Sequence, residues 1–260
     1  SGTTGTPKGV ILSTQAVLDH AIACVAEFQM KATDVWGHFA PLYHVADAFA
    51  VLAITFVGGV HVMQSRYSPS NTWKAIARNQ ITITNLGSTM LTGMMQVIKQ
   101  NEQLSALDFS ALRMLSCGGS AVPERTIRSF CARLPHVHYF TSYGMTETCG
   151  KISFSLLSNQ DSTATKQTQD HMLRPFMLID IRIGKQIGEQ FVPVAADGKQ
   201  VGEVQVKGQT LFNGYWQNSH ETKASFTSDG WFRTGDLAVK HEHGCMTVVD
   251  RQKDMVVVGG

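Results

Sequence analysis

The chain has 260 residues, of which 43% are hydrophobic and 16% charged, and its formal net charge is +2. That length can bury a large core in one or two domains, the composition is ordinary for a globular protein, and no apolar run is long enough to span a bilayer as a helix. Lys and Arg are scattered rather than gathered on one stretch, which argues against a dedicated nucleic-acid surface and makes a small molecule the expected partner.

The chain opens on Ser1, Gly2, Thr3, Thr4, Gly5, Thr6, Pro7, Lys8 and Gly9. Glycines let backbone approach a ligand, threonines donate hydroxyl hydrogens and Lys8 brings a compact positive charge, a combination suited to polyphosphate. It is not a Walker A loop, because Pro7 precedes Lys8 and Gly9 follows it where that pattern needs Ser or Thr. A flexible linker is the local alternative. Val10 to Leu12 then reads as a strand, and Ser13 or Thr14 caps a helix with Val17, Leu18, Ala21, Ile22 and Val25 on one face. Strand and helix patterns alternate from there: strand Val35 to Phe39, helix Ala46 to Val57, strand Val60 to Met63, a helix capped by Ser70, strand Ile81 to Thr84, and a Met-rich core helix from Met90 to Ile98. Strand Arg113 to Ser116, a helix starting at Pro123 and strand Val137 to Phe140 continue the series. This predicts an α/β fold, a mainly parallel sheet covered by helices with ligands beyond the strand ends. After about residue 155 the pattern changes. Residues 158–170 read as a mobile polar loop, and strands Leu178 to Ile183, Val201 to Val206 and Met246 to Val249 predict a smaller β-rich, distorted barrel-like subdomain. The expected organisation is 1–157, 158–249 and a terminal 250–260 segment.

The five cysteines, Cys24, Cys117, Cys131, Cys149 and Cys245, form no C-x-x-C pair, so neither a zinc ribbon nor a dithiol motif is expected and a reducing compartment such as the cytoplasm fits. No targeting signal is visible. Because Ser1 already lies inside a motif and Gly259 and Gly260 stop in mid-loop, the chain reads as a fragment.

Five further stretches are singled out, each with a plain local explanation. Pro41, Leu42, Tyr43 and His44 follow a strand; a lone His such as His44 is more often structural. Gly118, Gly119 and Ser120 would let a flat ring lie on bare backbone, or simply form a tight turn. Tyr143, Gly144, Met145, Thr146 and Glu147 supply a ring, a hydroxyl and a carboxylate for a base, a phosphate and a magnesium ion, or else a helix cap. Thr234, Gly235 and Asp236 present a carboxylate to ribose hydroxyls, or form an ordinary loop. Asp250, Arg251, Gln252, Lys253 and Asp254 alone read as a solvated charge run.

Taken in order, these motifs resemble those of the adenylate-forming superfamily, which includes acyl-CoA synthetases, firefly-type luciferases and nonribosomal peptide adenylation domains. Met145 is more like the acyl-CoA synthetases, since peptide synthetases usually have proline there. The resemblance covers the chain end to end and implies ATP, Mg2+ and coenzyme A as co-substrate, a small carboxylic acid as substrate, and two steps: an acyl-adenylate forms with loss of pyrophosphate, then CoA thiol displaces AMP. It assigns Lys8, Thr3, Thr4, Gly5 and Thr6 to the β- and γ-phosphates, Thr146 to the α-phosphate and Glu147 to the metal. It places Gly118, Gly119, Ser120, Tyr143 and Gly144 at the adenine, Asp236 and Arg251 at the ribose or phosphates, His44 at the acyl substrate and Lys253 at a hinge. It further implies that a small catalytic domain follows, so that the fragment alone is weak or inactive. A carrier-protein-loading adenylation domain, a luciferase-like oxygenase and a non-catalytic nucleotide-binding module are the competing readings. Asp47, where relatives usually have glycine, and Leu173, where a glycine usually precedes Arg174 and Pro175, depart from the pattern.

Overall fold

In the computed structural model, residues 7–157 and 172–251 are described. The elements alternate as the sequence predicts: β1 (Val10–Ile11), α1 (Thr14–Glu27), β2 (Val35–His38), α2 (Val45–Val57), β3 (Val60–Met63), α3 (Pro69–Arg78), β4 (Ile83–Gly87), α4 (Ser88–Gln100), α5 (Glu102–Ser105), β5 (Met114–Gly118), α6 (Glu124–Arg133) and β6 (His138–Met145). Then come β7 (Gly150–Leu157), β8 (Arg174–Pro175), β9 (Ile179–Ile187), β10 (Gln190–Pro193), β11 (Val201–Gly208), β12 (Gly214–Tyr215), α7 (Ser219–Ala224), β13 (Phe232–Lys240) and β14 (Met246–Arg251).

A seven-stranded sheet runs in the order β3-β2-β4-β5-β6-β7-β8. Its first five strands are parallel, whereas β7 and β8 join antiparallel. Period-two alternation sends neighbouring side chains to opposite faces. Met114 and Phe140 pack with Phe49 and Ile54 of α2 and with Cys24 of α1, while Leu115, Cys117 and Tyr139 pack with Trp73, Leu91, Met94 and Phe130 of α3, α4 and α6. Helices therefore cover both faces. A second sheet, β10-β9-β11-β13-β14, is antiparallel throughout and has its own core of Ile183, Val204, Val206, Phe232 and Ala238. The short pair β1-β12 carries the chain's first described strand onto the second half.

Local details depart from the sequence reading for identifiable reasons. On α1 the buried residues are Ala16, His20, Ala21, Ala23 and Cys24, and Leu18 and Ile22 are 39% and 42% exposed. The close crossing with α2 selects small side chains, which a search for large apolar residues ranks last. Ser13, not Thr14, caps this helix, accepting from the Ala16 N–H at 3.0 Å. Ser68 rather than Ser70 occupies the cap position of α3, because Pro69 is suited to the first helical turn. Strand β4 starts at Ile83; Thr82 instead donates its hydroxyl to Asp34 at 2.8 Å. Residues 158–170 lie outside the described residues.

The core holds several polar groups. Asp34 is buried where β2 begins and accepts from Arg113 Nε and Nη2 at 2.8 and 2.7 Å. Burial works to raise its pKa, but the Arg113, Lys31 and Thr82 hydrogen bonds prevail and hold it low. Lys151, at the start of β7, is 5% exposed, and its ammonium lies 3.7 Å from the Phe49 ring centroid. A ring face contributes about 2 kcal/mol at best, against several kcal/mol lost on desolvating an ion. Burial accordingly pulls the Lys151 pKa down to about 8.

His20 accepts the Lys151 backbone N–H on Nε2 at 2.9 Å and is sealed between Phe49 and Phe176, so it is held neutral. Burial first and the Lys151 charge second pull its pKa from 6.5 to about 3. The unfolded chain thus takes up a proton near pH 6.5 that the folded chain refuses until about pH 3. The stability His20 supports is full above 6.5 and falls as pH drops through that window, by about 5 kcal/mol. Urea unfolding from pH 7 to pH 4 should show a steeper loss for the wild type than for His20→Gln, which keeps an acceptor without titrating; parallel slopes would refute this account.

Candidate active site

The site forms where β6 outruns its parallel neighbours and turns back as β7. The sequence reading ended this strand at Phe140, yet β6 continues to Met145 and carries Ser142, Tyr143 and Gly144 with it. Gly144 is required by close approach: a Cβ there would stand 1.9 Å from the Gly150 carbonyl oxygen. The bend between the strands is a single 3-10 turn, Thr146–Thr148, which orients Glu147 inward. Thr148 ties the bend by donating its hydroxyl to the Gly150 carbonyl at 2.8 Å.

Two side chains of this turn reach into the second half of the molecule. Tyr143 donates its hydroxyl to Asp236 Oδ2 at 2.6 Å. Tyr215 of β12 donates to Glu147 Oε1 at 3.0 Å, and the Phe212 N–H donates to the Glu147 carbonyl at 2.8 Å. Tyr215 is in turn covered by Lys8, whose ammonium lies 4.9 Å from the ring centroid and pairs with Glu221 of α7. A continuous chain Glu221, Lys8, Tyr215, Glu147 therefore connects the opening loop to the β6-β7 turn. Burial, and next the Glu147 carboxylate, push the Tyr215 hydroxyl pKa well up, so it stays a donor throughout the physiological range.

Asp236 is not presented by a loop turn, as the sequence suggested, but stands within β13. The register with β11 slips there, Arg233 facing Gln205 and Leu237 facing Glu203, so that Thr234, Gly235 and Asp236 lie opposite Val204 alone. This bulge needs the left-handed backbone of Gly235, φ +72°, and Thr234 pins it by accepting the Asp236 N–H at 3.1 Å. The bulge directs a buried carboxylate at Tyr143. On the other side, Arg251 of β14 pairs with Asp236 along the backbone.

The remaining predicted residues fall out as follows. Gly118 ends β5 beside Ser142 of β6, with Gly119 and Ser120 exposed just beyond, so this loop adjoins the Tyr143 strand. Thr146 opens the 3-10 turn. His44 caps α2 without a side-chain hydrogen bond and lies beside the Tyr43 ring, centroid to centroid 4.5 Å, and among the described residues no hydrogen bond or ring contact joins its side chain to the other candidate residues. Thr3, Thr4, Gly5, Thr6 and Lys253 lie outside the described residues. Sequence reasoning assigned no role to Tyr215, in the Gly214, Tyr215, Trp216 run, or to Glu221. The run's one legible signal was an aromatic hydroxyl flanked by the paired strand and a helix cap, which no linear spacing relates to Glu147.

Comparison with known proteins gives a consistent picture. A family model described as AMP-binding enzyme matches residues 1–216. The chain is 31% identical over its whole length to a long-chain-fatty-acid–CoA ligase of Thermus thermophilus, covering 48% of that protein. It is 29% identical to a 2-succinylbenzoate–CoA ligase of Bacillus velezensis, again over the whole chain and covering 49% of that protein. Among solved structures it is similar to the ATP-bound MatB of Rhodopseudomonas palustris, with a TM-score of 0.83, 26% identity, and coverage of the whole chain against 48% of that one. It is likewise similar to the AMP complex of the O-succinylbenzoate coenzyme A synthetase MenE of Bacillus subtilis, with a TM-score of 0.81 at 27% identity, over the whole chain and 50% of that one. The chain thus spans about half the length of the curated relatives it matches.

The Tyr215 hydroxyl is the described donor to the buried Glu147 carboxylate. Tyr215→Phe should lower stability by about 1.5–3 kcal/mol, the range for a hydrogen bond to a charged group. Thermal denaturation at neutral pH checks this, and an unchanged midpoint would show that Glu147 is held by other means.

Proposed function

This chain belongs to the AMP-binding enzyme family, and from that premise we propose that the protein carrying it activates a small carboxylic acid as an acyl-adenylate and passes the acyl group to coenzyme A. The observation that supports the reading is the meeting of Tyr143 with Asp236, and of Tyr215 with Glu147 and Lys8, which gathers residues from distant parts of the sequence around one turn.

The roles follow from the chemistry of each group. Lys8, 31% exposed and paired with Glu221, is positioned to exchange that carboxylate for the β- and γ-phosphate oxygens as a nucleotide arrives. Thr146, at the start of the turn, offers a hydroxyl to the α-phosphate. The loop from Gly118 to Ser120 and the Tyr143 strand flank the adenine. Asp236, which accepts from Tyr143, is assigned to the ribose hydroxyls. Glu147 offers a single, nearly buried carboxylate, which suits Mg2+, an ion that takes one or two protein carboxylates beside substrate phosphates. When bound, the ion neutralises phosphate charge. The protein's own contribution is to align the substrate carboxylate with the α-phosphorus and to stabilise charge gathering on the leaving pyrophosphate. His44, at the head of α2, is assigned to the acyl side.

ATP–pyrophosphate exchange by the full-length protein, with a panel of carboxylic acids and then CoA, tests the proposal. Glu147→Gln should reduce exchange by about 100-fold or more, and Asp236→Ala should act chiefly by raising the KM for ATP. Exchange without any acyl-CoA product would favour a carrier-protein acceptor instead, and no exchange with any acid would refute adenylation.

A further inference from the structure

The face of the large sheet beneath α2 holds more polar groups than its fold uses. Lys151 is buried, and among the described residues no hydrogen bond or ion pair is made by its ammonium, which faces the Phe49 and Phe28 rings at 3.7 and 5.5 Å. The nearby buried carboxylate is committed elsewhere: Asp47 accepts from Trp36 Nε1 at 2.9 Å on one oxygen and from His38 Nδ1 at 3.1 Å on the other. His38 is in turn within 2.9 Å of His61, so this carboxylate anchors a separate chain leading toward the β3 edge. On the same face Asn85 of β4 donates to the Ala46 carbonyl in the first turn of α2 while its own Oδ1 has no partner, and Ser116, opposite it on β5, has an unpartnered hydroxyl. With Asp47 near it but spent on Trp36 and His38, the ammonium is left an aromatic face and unused polar atoms beneath the same helix.

Lys151 also stands on the first residues of β7, directly after the turn that carries Thr146 and Glu147, and its side chain turns to the α2 side, where α2 starts at His44. We propose that Lys151 receives the second carboxylate of a dicarboxylic acid whose first carboxylate is adenylated beside Thr146. This rests on the adenylation reading above and names its substrate class. The bound carboxylate supplies the missing counter-charge, and the unpartnered Asn85 Oδ1 and Ser116 hydroxyl lie beneath the same helix. A monocarboxylic acid of equal length would leave the ammonium unpaired and add an apolar end against it, so the site selects against it.

The test is ATP–pyrophosphate exchange by the full-length wild-type protein on chain-length-matched pairs such as succinate with butyrate and adipate with hexanoate. The dicarboxylate of the preferred length should exceed its partner in kcat/KM by at least about tenfold. Lys151→Met should lower that ratio by about the same factor, through a raised KM for the dicarboxylate. Equal or better use of monocarboxylates by the wild type, or an unchanged ratio in Lys151→Met, overturns the assignment while leaving adenylation intact. Absence of exchange with every acid overturns the adenylation reading itself and this assignment with it. The wild-type panel decides the matter even if the variant does not fold.

Discussion

The arrangement depends on the hydrogen bond from Tyr143 to Asp236, 2.6 Å long, which joins a parallel sheet to an antiparallel one. Neither end is placed by its own element alone. Tyr143 reaches across because β6 extends past the strands beside it and doubles back through a turn that tolerates no Cβ at Gly144. Asp236 faces it because a bulge built on Gly235 redirects one side chain of an otherwise regular ladder. Two local irregularities, each costly to a sheet, thus meet at one contact. The second bridge, Tyr215 to Glu147, fixes the same junction a few residues further on and draws in the opening loop through Lys8.

This placement explains why polar groups at the junction are paired while those under α2 are not. At the junction Tyr143 is bonded to Asp236, Tyr215 to Glu147 and Lys8 to Glu221, so these groups hold one another in place. Beneath α2, Trp36, Asp47, His38 and His61 are bonded in a chain, but among the described residues the Lys151 ammonium, Asn85 Oδ1 and the Ser116 hydroxyl have no hydrogen-bond partner. A chain that buries a lysine at a cost of several kcal/mol without pairing it destabilises its own fold. Such a cost is compatible with function when the missing partner is a substrate.

Much of this was legible in the residues. The repeated alternation of strand and helix pointed to the mainly parallel sheet, since parallel neighbours need long crossovers that helices supply. The motifs at Lys8, at Tyr143 to Glu147 and at Asp236 were legible because close approach and charge demand particular residue types at fixed short spacings. The face of α1 was not, because Leu18 and Ile22 look like core until the nearness of α2 makes alanine and His20 the residues that fit. Nor was the continuation of β6 beyond Phe140, because Ser142, Tyr143 and Gly144 have no alternating hydrophobicity to mark a strand; pairing with β5 and β7 makes them one.

The sequence by itself determined the fold class, the order of the elements and the kinds of chemistry each motif can perform, since these follow from local periodicity and side-chain type. Only the tertiary structure decided which groups face each other: that Tyr215, unremarkable in its own strand, holds Glu147; that Glu221 holds Lys8; and that Lys151 is buried where, among the described residues, no carboxylate pairs with it directly. Partnership across such sequence separations depends on strand register and on where a bulge or turn redirects a chain, and no short-range pattern encodes that geometry.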